Sequence, residues 1–268
     1  MALFNKEKNI LAADYQKGVL NIFDINEKSI NSVNPDGKLV HPTGICVGIN
    51  KNGDEEIFIS DVKERTIFVF NTNLKFIKKI GEDLNDVFFI DVYSSTNTIL
   101  CCSHPQDNMI TFWNVNDEKL IKSMSIEQPI HLKIGGEKLY VLSTAECELD
   151  DQTRKVINLD KGNYINVINI AAFEIVHKIQ FQDWFSPHAL YLSSDSSIYT
   201  LAYEIDKNGI CSKNRFLFIV DSANYKIKQK IKLKDIDTFS DMMYLNKKLV
   251  LTGVNEKMNK IVVIELNI

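Results

Sequence analysis

The sequence predicts an all-β protein, a six-bladed β-propeller of four-stranded antiparallel blades with incomplete first and last blades. Three observations carry this reading. Short runs rich in Val, Ile, Phe and Tyr recur along the chain between clusters of Asn, Asp, Gly, Ser and Lys, as strands between turns do. No segment sustains the 3.6-residue apolar period of a helix over three turns. The runs also group into units that can be laid over one another, the mark of a repeat architecture.

The clearest overlay places Ile10-Leu-Ala-Ala-Asp14-Tyr-Gln-Lys-Gly-Val19-Leu-Asn-Ile-Phe23-Asp24 under Ile57-Phe-Ile-Ser-Asp61-Val-Lys-Glu-Arg-Thr66-Ile-Phe-Val-Phe70-Asn71. Both read as strand, Asp-headed turn, strand. In each the carboxylate is expected to accept backbone N–H groups of its turn. A second recurring piece is an outer strand in which Lys alternates with apolar residues, as in Leu74-Lys-Phe-Ile-Lys-Lys-Ile80 and Tyr225-Lys-Ile-Lys-Gln-Lys-Ile231. Alternation places charge on one face of an edge strand, where it resists unwanted pairing. The third piece is an inner strand and hairpin, with turns such as Asn52-Gly53 and Gly135-Gly136 supplying residues that tolerate positive φ. Lettering the strands a to d from inner to outer, the units span 1–40, 41–85, 86–128, 129–186, 187–239 and 240–268, and about 45 residues suits a four-stranded blade. One propeller domain over 1–268 follows, with the first inner strand cut short and the last blade lacking its outer strand.

Composition narrows the function classes. The chain of 268 residues has 45% hydrophobic and 25% charged residues and a formal charge of -4, which gives no electrostatic argument for nucleic acid or an anionic membrane. The first residues become charged before a signal-peptide core can build, and no apolar stretch is long enough to span a membrane. The five cysteines, Cys46, Cys101, Cys102, Cys147 and Cys211, are odd in number and lack disulfide or C-x-x-C spacing, so they read as buried thiols of a cytoplasmic protein. Phosphate-binding Gly loops, a Gly-x-Ser-x-Gly elbow, His-Glu-x-x-His and Asp-rich calcium loops do not occur. No cofactor is called for.

The second unit, His41-Pro-Thr-Gly-Ile-Cys-Val-Gly, Glu56-Ile-Phe-Ile-Ser-Asp61, Arg65-Thr-Ile-Phe-Val-Phe70-Asn and Leu74-Lys-Phe-Ile-Lys-Lys-Ile-Gly81, resembles an NHL repeat. The first unit supports the likeness through Ala13-Asp14 and Ile22-Phe23-Asp24. Later units are similar to general propeller repeats of the YVTN type. The resemblance covers residues 10–81 as a family signature and implies a binding platform more often than a catalyst.

In a propeller the d-to-a and b-to-c connections share one face, and here that face carries the irregular sequence. The expected reading is a non-enzymatic scaffold that binds a protein or peptide through Asp61, Lys63 and Arg65 of one turn. Glu146, Glu148, Asp150 and Asp151 of a long 145–163 loop, and Trp184, Phe185 and His188 beside the 204–214 loop, complete the surface. Loops of such length are commonly functional. The chain is expected to act as a monomeric propeller or as part of a longer multidomain protein, without membrane contact. An alternative is a metal-dependent lyase or hydrolase, with His41, His131 and His188 at the starts of three inner strands and an open fourth position. Phe185-Ser-Pro187-His188 is similar to the Pro-His segment of propeller-type amidating lyases, though His41 and His131 sit in a shifted register. RNA binding, known for some NHL propellers, needs a basic face, whereas the lysines here lie on the outer strands. His104 and His177 read as surface residues and Trp113 as blade packing.

Overall fold

The computed structural model describes residues 1–4, 9–27, 29–95, 97–144, 148–149, 156–158, 163–181, 185–193, 197–205, 211–233, 238–245, 248–255 and 258–265. Two compact units divide the chain, Met1–Ile134 and Gly135–Ile268, and each is described by itself.

In the first unit, β1 (Ala2–Phe4), β2 (Asn9–Asp14), β3 (Val19–Asp24) and β4 (Ser29–Val33) form one antiparallel sheet in that order. A second contains β5 (Pro42–Ile49), β6 (Glu55–Asp61), β7 (Thr66–Asn71) and β8 (Phe76–Ile80), and a third β9 (Ile90–Tyr93), β10 (Ile99–His104), β11 (Met109–Asn114) and β12 (Lys119–Ser125). The fourth sheet has the order β13 (Pro129–Gly135), β14 (Lys138–Ser143), β17 (Tyr164–Asn169) and β18 (Glu174–Gln180), and between its strands a small ladder joins β15 (Glu148–Leu149) to β16 (Val156–Asn158). Residues expected to be a long irregular loop therefore carry a ladder of their own.

The second unit continues with β19 (Phe185–Leu192), β20 (Ser197–Ile205), β21 (Cys211–Asp221) and β22 (Ile227–Leu233), and then a three-stranded sheet of β23 (Thr238–Leu245), β24 (Lys248–Asn255) and β25 (Met258–Glu265). Five four-stranded antiparallel sheets give an all-β propeller fold. The expected 204–214 loop is shorter than its sequence suggests, because β20 and β21 keep pairing outward to Ile205 and Cys211.

Why the inner strands read as continuous apolar runs is visible in β6 and β7. Ile57, Ile59, Phe68 and Phe70 enter one buried cluster with Leu11, Leu20 and Ile45 of the first two sheets. Phe58, Ile67 and Val69, on the opposite face, enter another with Ile90, Val92, Leu100 and Cys102. A sheet covered on both faces has no solvent side to keep polar. In the second unit Tyr199, Leu201 and Leu217 likewise pack with Met242, Leu249 and Leu251.

The overlay found in the sequence is a register. Ile10 pairs with Phe23 and Asp14 with Val19, as Ile57 pairs with Phe70 and Asp61 with Thr66. The third sheet repeats the pattern, with Leu100 opposite Trp113 and His104 opposite Met109. The aspartate position of the repeat is thus filled by His104.

Sheets two and three are tied by small residues at the start of strand a and the end of strand b. Ser60 Oγ accepts from Gly44 N at 2.8 Å and donates to Phe88 O at 2.7 Å, and Thr43 Oγ1 reaches Val87 O at 3.3 Å. A Cβ on Gly44 would stand 2.6 Å from Phe88 O, so the backbones approach too closely for any larger residue there.

Candidate functional site

In the first unit, the b-to-c turns and the connections leading into strand a build one end of the sheets. Asp61 organises it. The residue is buried, with 0% exposure, and its Oδ1 accepts from Lys63 N and Glu64 N, both at 3.0 Å. Its Oδ2 accepts from Val40 N at 2.7 Å and from His41 N at 3.0 Å. One carboxylate therefore fixes both its own turn and the connection before strand a. Expected on the partner-binding surface, Asp61 is instead buried, and by accepting these N–H groups it positions its neighbours.

What the turn presents is Lys63, Glu64 and Arg65, all exposed. Arg65 has φ +54°, its carbonyl accepts from Leu84 N at 2.8 Å, and its Nη2 donates to Asp83 O at 3.1 Å. The turn of the first sheet is built alike. Asp14 Oδ1 accepts from Lys17 N at 3.1 Å, Gly18 has φ +64°, and Tyr15, Gln16 and Lys17 are exposed. Tyr15 is joined to the neighbouring connection, since its ring stacks on His41 with centroids 4.7 Å apart and its carbonyl accepts from His41 Nδ1 at 3.1 Å. The repeat overlay already aligned Tyr15-Gln16-Lys17 with Val62-Lys63-Glu64, so Tyr15 and Glu64 were findable from it.

The third turn keeps the geometry with inverted polarity. His104 is buried, not a surface residue as expected. Its Nδ1 donates to Asn85 O at 2.7 Å, which leaves Nε2 to accept from Thr111 Oγ1 at 2.9 Å. Thr111 in turn accepts from Trp113 Nε1 at 2.9 Å. Burial lowers the pKa of His104 below the usual imidazole value, and the neutral ring suits this chain of bonds. The acid has moved to the connection, where Asp86 Oδ2 accepts from Gln106 N at 2.7 Å.

In the second unit, Phe185 and His188 lie on β19. Phe185, expected as an exposed anchor, is buried. Its ring meets Phe216 and Phe218 edge-on at 5.3 and 5.0 Å, and Lys230 Nζ covers it at 3.9 Å from the centroid. A large apolar ring at this place stabilises more by joining that cluster than by facing water. His188 is partly buried, edge-on to Tyr203 at 4.6 Å, and Arg215 lies over the same tyrosine at 4.1 Å. Desolvation, with the Arg215 charge adding to it, brings the His188 pKa down to about 4. Glu204 Oε2 accepts from Asn214 Nδ2 at 2.5 Å and Ser212 Oγ at 3.1 Å, and the Asn214 bond chiefly lowers the Glu204 pKa. Tyr203 and Arg215 carried no sequence signal, because cation and ring meet only through strand pairing, Tyr203 opposite Arg215.

The three histidines of the metal reading have separate employment. His41 binds Tyr15, His131 is buried against Phe89 at 4.2 Å, and His188 meets Tyr203. Among the described residues there is no group of three or more His, Cys, Asp or Glu side chains able to hold a metal ion. Glu146, Asp150, Asp151 and Trp184 lie outside the described residues, as does the side chain of Glu148, whose backbone belongs to β15.

The fold and these turns define a protein of the all-β propeller class. Hydrazine synthase of Kuenenia stuttgartiensis is a similar solved structure, with a TM-score of 0.72 over 99% of this chain and 76% of that one at 14% identity. At that identity the likeness shows the fold alone. No protein-family model matches the sequence, and no curated protein matches it. No helix is long and apolar enough to cross a membrane among the described residues.

Proposed function

We propose that this chain is a non-enzymatic β-propeller scaffold that binds a protein or peptide on the face of its b-to-c turns and d-to-a connections. One observation supports this above the others. Tyr15, Lys63, Glu64 and Arg65 are exposed at the tips of turns whose backbones are fixed by Asp14, Asp61 and His41. Side chains presented on a fixed backbone lose less freedom on binding, and an aromatic ring among charges of both signs suits a polypeptide surface better than a polyanion. The reading extends to a single NHL-type domain of six blades in the cytoplasm, with β23–β25 as the sixth. The NHL-like residues 10–81 support that assignment, and the acid-rich 145–163 segment and Trp184 are further parts of the proposed face.

Affinity capture from cells on the full chain tests the proposal. Three baits are needed: the wild type, the double variant Lys63→Glu/Arg65→Glu, and Lys51→Glu at the opposite end of the same sheet. Partners held by the wild type and Lys51→Glu but lost from the double variant are expected. Identical partners on all three would contradict the proposed face.

A further inference from the structure

The second unit carries a cavity of about 280 Å³ at the end of the sheets opposite the b-to-c turns. Its walls come from three turns. The Gly135-Gly136 hairpin after β13 supplies backbone without side chains, and Gly136 takes φ +60°. The β19–β20 connection supplies Ser193 and Ser197, held by a bond from Ser193 N to Ser197 O at 2.9 Å. Ser222 comes from the turn after β21, and Leu192 and Tyr140 close one side as an apolar wall.

Chemistry and size narrow the occupant. No charged side chain lines the cavity among the described residues. Lys138, two residues before Tyr140, is tied instead to Tyr225 Oη at 2.8 Å. The described lining offers an ionised ligand no counter-charge to offset its desolvation, which is costly. Each serine hydroxyl offers one donor and two acceptor sites and so keeps capacity beside any bond it already makes. The volume equals the share of about nine liquid waters and lies just under the usual range for small-molecule sites. A Cβ at 135 would stand 2.8 Å from Leu192 Cδ1, so glycine there leaves that leucine side chain in place against the cavity.

We propose that this cavity binds a single uncharged sugar ring. Such a ring has hydroxyls around its rim, which match the three serines and the glycine backbone, and a C–H face, which matches Leu192 and Tyr140. The site is independent of the turn face and stands or falls separately from it.

Ligand-observed saturation-transfer NMR on the full chain tests this with D-glucose, D-galactose, D-mannose and D-glucose 6-phosphate as probes, each at millimolar concentration. Transfer to at least one free hexose is expected, with no stronger binding of the phosphate. Ser222→Trp fills the cavity and should weaken that hexose about tenfold or more. Ser222→Leu repeats the comparison if the Trp variant loses cooperative melting. Transfer to no hexose, preference for the phosphate, or undiminished binding in a folded Ser222 variant would overturn the proposal.

Discussion

At the scale of single residues, Asp61 and His188 show how burial assigns roles that residue type leaves open. An aspartate in a turn can be a recognition group or a brace, and the four N–H groups that converge on Asp61 make it a brace. Asp61→Ala leaves four backbone donors without their acceptor and should cost about 2 kcal/mol, read as a lowered denaturation midpoint. Asp61→Asn, which keeps one oxygen, should cost less. His188 gives a pH dependence of defined sign. Its folded pKa of about 4 lies below the unfolded value of about 6.5, so the unfolded chain takes up the proton first. Its contribution is complete above the unfolded pKa and is lost as pH falls toward 4, by about 3 kcal/mol at most. His104, also lowered by burial, acts in the same direction. Denaturant titrations between neutral pH and pH 4 should show a shallower loss for His188→Gln than for the wild type. Of the five cysteines, Cys46, Cys101 and Cys102 are buried free thiols, as expected for them. Burial raises the thiol pKa of Cys46 and Cys101 and takes Cys102 to about 12. Because the thiolate is the nucleophile, alkylation of native protein followed by peptide mapping should leave these three unlabelled until denaturant is added.

At the scale of elements, the repeat is written in turns and bulges more than in strands. Strand c ends in Asp24, Asn71, Asn114, Asn169 or Asp221, and each side chain accepts backbone N–H groups of the turn that follows. In four of these turns the chain then passes through positive φ at Leu74, Glu118, Phe173 and Tyr225. Three residues later each outer strand has one residue more than its partner, namely Ile77, Ile121, Val176 and Lys228. An extra residue turns the following side chains over, which corrects the simple alternation of Lys with Ile expected for these strands. It also explains why Ile77, Ile121 and Val176 are exposed. Glu118 tests the conformational part. Valine resists positive φ whereas glycine does not, so Glu118→Val should lose about 1 kcal/mol and Glu118→Gly little or nothing, compared by thermal melting. The inner strands and their register were legible because burial on both faces and aligned Asp-headed turns leave plain sequence marks. The bulges were not, since an extra residue alters no composition, and neither was the burial of Phe185 or the meeting of Arg215 with Tyr203, which depends on non-local pairing.

At the scale of the whole molecule, four-stranded sheets covered on both faces leave function to their ends. One end, in the first unit, carries braced turns with Tyr15, Lys63, Glu64 and Arg65 exposed. In the second unit, the a-to-b and c-to-d turns carry the hydroxyl-lined cavity. The outer strands and the turns before them hold many of the lysines, among them Lys75, Lys78 and Lys228, whose ion pairs with Asp36, Glu118 and Asp221 are at least partly exposed and contribute little to stability. The central claim is that the braced turns are the binding face. Site-specific photocrosslinking in cells tests it most directly, with a photoreactive residue placed either at position 63 or at position 51 on the opposite end of the same sheet. A discrete crosslinked protein species from position 63 and none from position 51 is predicted; the same species from both, or one from position 51 alone, would contradict the account.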